Sequence, residues 1–246
     1  MEGWAIALII VGVLVFVLLY VLIVRSLSKQ KPDETEEEKQ ASRDFAGEEA
    51  ELLVNNKINS MIAHELDGKG GVNHGKFIFF VNKKSQHTTE IDSLVVTKAG
   101  IFIIEVKGWK GEITSSDPDA DKWAKVKKYH KTRDTYGYKE TQSLTNPIKQ
   151  NNRHVDKFWQ LWKRFSHYKA DIIPMVIFPY LENIPKDAYD IKSALSCIRQ
   201  LSLDGDRDIA KIEEVITQMV KKYGATEEDH NRTLEELSRK HEMLRA

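Results

Sequence analysis

The stretch "EIDSLVVTKAGIFIIEVKGWKG", residues 90–111, constrains the fold more than any other part of the chain. It reads as two strands and a tight turn, and successive side chains of a strand point to opposite faces. Ile101, Ile103, Glu105 and Lys107 therefore share one face, while Phe102, Ile104 and Val106 share the other. Both faces are apolar, the pattern of a strand buried on both sides, so this sheet requires cover above and below.

The flanking segments supply that cover. Residues 47–65 carry Leu52, Leu53, Ile58, Met61 and Ile62 at helical spacing, and residues 76–82, "KFIFFVN", read as a strand. After a polar stretch, residues 115–145, Asn146 and Pro147 form an N-cap and first-turn pair for a helix bearing Val155, Phe158, Trp159, Trp162 and Phe165. The apolar run 172–178 fits a strand that Pro174 places near an edge or a bulge. Helical patterns then recur, the last over residues 226–244 with Leu234, Leu237 and Leu244 on one side. The predicted class is α/β, a mixed central sheet flanked by helices. A composition of 41% hydrophobic and 30% charged residues is ordinary for one globular domain with appendages.

One appendage is apolar. Residues 3–24, "GWAIALIIVGVLVFVLLYVLIV", contain no charge and reach about 33 Å as a helix, enough for a bilayer core of about 30 Å. Trp4 and Tyr20 lie near its ends, and Arg25, Lys29 and Lys31 follow, so the basic side is expected in the cytoplasm. A cleaved signal peptide would need a basic start and a small-residue cleavage site, whereas only Glu2 precedes the run. The expected organisation is a transmembrane anchor, 1–24; a charged linker, 25–44; a main domain, 45–180; and a C-terminal helical extension, 181–246. The expected location is the cell membrane, single-pass, with the N-terminus outside and the main domain cytoplasmic. The single cysteine, Cys197, excludes an internal disulfide framework.

Asp92, Glu105 and Lys107 interrupt the apolar hairpin. A two-residue loop of Ala99 and Gly100, or a four-residue loop, places Asp92 opposite Lys107 and diagonal to Glu105; a three-residue loop sends Asp92 to the other face. Cross-strand neighbours have Cβ atoms about 5 Å apart, so an even loop gathers two carboxylates and an ammonium at one end of the sheet. Such a pair suits Mg²⁺ or Mn²⁺, whose remaining positions are filled by water and substrate phosphate. A metal there activates water, and an adjacent lysine orients it or offsets negative charge, which fits phosphodiester hydrolysis. The alternative is a local salt bridge that holds the hairpin.

These residues resemble a known family. Asp92 followed by Glu105-Val106-Lys107 on the next strand, with a glutamate on a preceding helix, resembles the PD-(D/E)xK nuclease superfamily and, within it, the nuclease-related (NERD) domain. The similarity covers residues 44–178, through "FAGEEAE", the hairpin, Trp123 and "NPIKQNNRHV". It implies a restriction-endonuclease-like core with Asp92 and Glu105 as metal ligands and Lys107 as the catalytic lysine. It also implies supporting roles for Glu48 on the first helix and Gln150 on the second. The proline that gives the superfamily its name is Ile91 here.

With 37 basic and 37 acidic residues, the chain has no global basic field, so nucleic acid must be held by a local patch. The segment "KWAKVKKYHKTR" offers Lys122, Trp123, Lys125, Lys127, Lys128, Lys131 and Arg133, cations interleaved with rings that suit a strand-binding surface. It equally suits an exposed basic edge whose tryptophan packs inward. "GGVNHGKF", residues 70–77, lacks the final Ser or Thr and the strand-to-helix order of a phosphate loop, and reads as a glycine-rich turn. The expected function is a membrane-anchored, metal-dependent nuclease cutting DNA or RNA on the cytoplasmic side. The alternative is a non-catalytic tethered module that binds nucleic acid or protein. The bilayer is a partner through residues 3–24, and the C-terminal helix is a candidate for self-association.

Overall fold

The computed structural model describes residues 36–68, 70–82, 84, 86–127 and 140–243. The apolar run 3–24 lies outside them, and among the described residues no helix is long and apolar enough to cross a membrane. The chain divides into Met1–Asp44 and a compact unit, Phe45–Ala246.

The elements in order are α1 (Glu36–Glu65), β1 (Gly71–Asn82), β2 (His87–Thr97), β3 (Gly100–Val106), β4 (Glu112–Ser115), β5 (Lys122–Lys127), β6 (Glu140–Thr145), α2 (Pro147–Trp162), β7 (Ile172–Ile177), α3 (Ile191–Asp204), α4 (Ile209–Tyr223) and α5 (Glu227–Met243). Helix α1 starts earlier than residue 47, inside the expected linker. The reason is local: "EEEKQASRD" is rich in helix formers and opens with acids that favour a helix N-terminus.

The main sheet has the order β1-β2-β3-β7. The first two pairings are antiparallel, and β7 joins β3 in parallel. Pro174 thus lies on an edge strand, where its missing N–H breaks no ladder. Thr97 pairs with Gly100, so the β2–β3 loop is Lys98-Ala99, two residues long but one position earlier than an Ala99-Gly100 loop. Gly100 has φ +128° and is the first residue of β3; a Cβ there would stand 2.3 Å from the Asp171 carbonyl oxygen. That close approach seats β7, because the Ile101 N–H donates to the same oxygen at 2.8 Å.

Both faces of β3 are covered, as its apolar pattern requires. Phe102, Ile104 and Val106 pack with Ala50, Val54, Ile58 and Met61 of α1 and with Ala194 and Ile198 of α3. Ile101 and Ile103 pack with Phe158, Leu161 and Trp162 of α2 and with Ile212, Ile216 and Met219 of α4. On this second face the Phe158 ring lies 6.2 Å from both Phe77 and Phe79, tilted edge-on to each. Such pairs are worth about 0.5–1.5 kcal/mol each beyond burial. Helices α3 and α4, both after residue 180, pack on the two faces of the sheet.

The polar stretch 115–145 holds a second, antiparallel sheet of order β4-β5-β6. Trp123 of β5 is buried and stacks 6.3 Å from Phe178, and Trp109 lies tilted against the same ring at 5.4 Å. The glycine-rich stretch 70–77 is not a turn. From Gly71 it is strand β1, with irregular register on both sides of Gly75, whose φ is +62°.

Candidate active site

Asp92 is positioned by a bulge. Along the β1–β2 ladder, Gly75 pairs with Leu94 and Phe77 with Ile91, so β2 takes three steps where β1 takes two. The extra residue flips the alternation, and Ile91 and Leu94, three apart, both reach the core under α2 and α4. The regular β2–β3 pairing ends at Ser93 and Ile104. Beyond it the Asp92 carboxylate takes over the strand end, its Oδ2 accepting the Val106 N–H at 2.7 Å. Continuing the Thr97–Gly100 register brings Asp92 level with Glu105, not with Lys107 as an Ala99-Gly100 loop would.

Glu105 and Lys107 point toward α2, as strand alternation predicts. Glu105 is 1% exposed, and its Oε1 forms an ion pair with the Lys107 Nζ. On its other oxygen, His154 of α2 brings Nε2 to 3.5 Å from Oε2. The imidazole is held from behind: Thr89 Oγ1 lies 3.0 Å from His154 Nδ1, and Lys157 Nζ donates to the same hydroxyl at 3.4 Å. With the Thr89 O–H donating to Nδ1, the neutral ring carries its proton on Nε2, facing Glu105. Below it, Asn151 Nδ2 donates to the carbonyls of Ile103 and Met175, both at 2.9 Å, and ties α2 to β3 and β7.

The electrostatics are those of carboxylates crowded out of water. Burial first, then the Asp92 charge, pushes Glu105 up to about 8. Burial also raises Asp92, against the pull of Lys107 and the Val106 N–H. For Lys107 burial opposes the charge, but Glu105 and Asp92 outweigh it and its pKa rises, so it is an ammonium at neutral pH. His154 is pushed down to about 4 by burial, then by Lys157, Lys107 and Arg153, and is neutral.

This donor set fits a hard divalent cation. Asp92 and Glu105 are buried within each other's field with one ammonium, Lys107, between them, and both carboxyls are raised, so a cation would stabilise their charged forms. Among the described residues no three of His, Cys, Asp and Glu converge to hold a metal by themselves. Two carboxylates suffice for Mg²⁺ or Mn²⁺ when water and phosphate complete the shell.

Two acids of helix α1 differ in their surroundings. Glu48 is exposed, whereas Glu51, one turn later, is half-buried and pushed up to about 7 by burial and then by Asp92. Lys76 stands between Glu51 at 3.8 Å, Glu90 at 3.7 Å and Glu227 of α5 at 3.8 Å. Gln150, half-buried in the first turn of α2, lies one turn before His154 on the same helix face.

The basic segment is corrected in one residue and partly out of view. Trp123 is 1% exposed, its Nε1 donating to the Asp117 carbonyl at 2.9 Å, so its ring is a core element and not a stacking platform for bases. Lys122 is exposed and Lys125 half-buried. The Lys127 side chain and all of Lys128, Lys131 and Arg133 lie outside the described residues.

Comparison with curated proteins and with solved structures finds no match. The nuclease-related domain matches residues 46–179, a span that contains Asp92, Glu105, Lys107, His154 and both sheets. Over half of the chain matches, and the chain belongs to the nuclease-related domain (NERD) family, with a PD-(D/E)xK-like nuclease domain.

Proposed function

We propose that this chain is a membrane-anchored phosphodiesterase that hydrolyses DNA or RNA at the cytoplasmic face with a divalent metal, Mg²⁺ or Mn²⁺. The observation that carries the reading is the convergence of Asp92, Glu105 and Lys107 at one end of β3 in a nuclease-related domain. Asp92 and Glu105 would hold the metal, which supplies Lewis-acid polarisation of the phosphoryl group and a lowered water pKa when bound. Lys107 is charged at neutral pH, so it serves as a donor that orients the attacking water and offsets charge on a phosphoryl oxygen, not as the base. In the reaction the water oxygen bonds to phosphorus, the P–O ester bond breaks, and the leaving oxygen gains a proton. His154, through its contact with Glu105, holds the carboxylate's orientation, and Glu51 and Gln150 line the approach from α1 and α2.

The membrane anchor belongs to the same proposal and rests on the uncharged run 3–24 with its basic flank. So does self-association through α5, where Leu234 and Leu237 remain 50% and 48% exposed. The test is cleavage of labelled single- and double-stranded DNA and RNA by the full-length protein in zwitterionic detergent, with Mg²⁺, Mn²⁺ or chelator. Metal-dependent cutting that Asp92→Asn and Lys107→Ala both abolish is the expected result. A folded protein that cuts none of these substrates with either metal sinks the enzyme reading and leaves the tethered binding module.

A further inference from the structure

Most cations around this site already have acids. Lys107 pairs with Glu105, Lys76 with three glutamates, and Lys149 with Asp121 at 2.8 Å. Arg153 and Lys157 of α2 do not: neither makes an ion pair among the described residues. They stand four residues apart, one helical turn, where like charges repel and cost helix stability. The one acid of α2, Asp156, is exposed and engages neither.

Their placement relative to the site is direct. Gln150, Arg153, His154 and Lys157 follow the i, i+3, i+4, i+7 spacing of one helix face, and His154 on that face meets Glu105. Lys157 is half-buried and donates to the Thr89 hydroxyl that also holds His154. Arg153 is exposed beside it. Two cations that make no ion pair among the described residues, Arg153 feeling only the more distant field of Asp121, therefore lie next to a site whose proposed substrate is a polyanion, and burial and Arg153 together lower the Lys157 pKa, the state an incoming phosphate would relieve. The basic segment 122–133, by contrast, uses Trp123 as core.

We propose that Arg153 and Lys157 form the phosphate-contacting rim of the site, so that the nucleic-acid backbone runs along this face of α2 on its way to Asp92 and Glu105. The partner class is a phosphodiester chain, and the inference rests on the nuclease reading for where the scissile phosphate lies. Contacts of this kind set register and affinity without sequence readout.

The experiment measures binding of fluorescein-labelled single- and double-stranded oligonucleotides to full-length protein in zwitterionic detergent, by anisotropy across a KCl series with chelator present to prevent cutting. Parent, Arg153→Ala, Lys157→Ala, the double variant, and the charge-keeping pair Arg153→Lys and Lys157→Arg are compared with Lys122→Ala. Each alanine is expected to lower the slope of log K against log salt by about 0.9 on duplex or about 0.7 on single strands, with the charge-keeping pair retaining the parent slope. Unchanged slopes in both alanine variants overturn the rim, as does a parent that binds no oligonucleotide. A double variant that loses binding to phosphatidylglycerol vesicles but not to oligonucleotides overturns it in favour of a membrane-surface role. Mn²⁺-dependent cutting by the parent is scored separately: slopes that fall in a parent that does not cut uphold the rim and sink the nuclease reading, and unchanged slopes in a parent that cuts do the reverse.

Discussion

Replacing Glu105 by glutamine tests the crowded-carboxylate description of the site in the metal-free protein. Glu105 ionises near 4.5 when unperturbed and at about 8 in the fold. Between those values the folded chain keeps a proton that the unfolded chain has released. The stability contributed by neutral Glu105 is therefore complete below pH 4.5 and is lost as pH rises through about 8. At 1.36 kcal/mol per pH unit the shift corresponds to about 5 kcal/mol, an upper figure because the pair with Asp92 relaxes as it ionises. Asp92 and Glu51 are shifted in the same direction and add to the slope. Urea titration with chelator present, at pH 5, 7 and 9, should show the parent losing several kcal/mol across the range. Glu105→Gln, a neutral isostere of the protonated acid, should lose less than half as much. Adding Mn²⁺ at pH 9 should restore the parent, by about 2.7 kcal/mol at a hundredfold excess over Kd, and should do little for Glu105→Gln. Equal pH slopes in the two proteins, or a parent that gains stability with pH, would refute the argument.

Three further outcomes follow from named contacts. Glu51→Gln should alter Mn²⁺ affinity measured by calorimetry while Glu48→Gln leaves it unchanged, because Glu51 is half-buried within the field of Asp92 and Glu48 is exposed. His154→Ala should weaken Mn²⁺ binding about tenfold, the usual effect of removing a group that orients a ligating carboxylate, and Thr89→Val should reproduce part of that loss. Trp123→Ala should cost about 3–5 kcal/mol in urea stability, since the ring is buried against Phe178. Its folded fraction should bind oligonucleotides with parental affinity; a loss of affinity at unchanged stability would return Trp123 to the substrate surface.

What was legible in the sequence was whatever depends on strict local period. Alternation alone placed Glu105 and Lys107 with Ile101 and Ile103, and the Asn146-Pro147 pair marked the start of α2, where the Asn146 Oδ1 accepts the N–H of Ile148 at 2.9 Å. The failures occur where period is broken or a helix face must be chosen. The β2 bulge follows from no residue type, since Asp92 and Ser93 look like two more strand positions until the pairing with β1 is known. For α1, treating Leu52 and Leu53 as inward rotates the helix. In the fold Leu52 is 63% exposed, and Ala50, Val54, Ile58 and Met61 form the buried stripe. Glu51 continues the Val54, Ile58, Met61 spacing backward by three, which sets it toward the inward face while Glu48 is exposed.

The same logic explains why a site of this kind can sit inside so apolar a sheet. Asp92 leaves the ladder through a bulge and takes the Val106 N–H, while Glu105 stays in the ladder and meets Lys107 and His154, so two buried carboxyls share one charged partner. Full satisfaction would make the cluster a structural salt bridge, and burial with no partner at all would be too costly to fold. Partial satisfaction leaves carboxylates whose remaining affinity is for a cation. A hydrophobic replacement of the cluster, Asp92→Leu with Glu105→Leu and Lys107→Met, separates the two roles. If the charges serve function, this variant should be as stable as the parent or more so in chelator while losing Mn²⁺ binding entirely; if they serve as a structural bridge, it should unfold more readily at every pH.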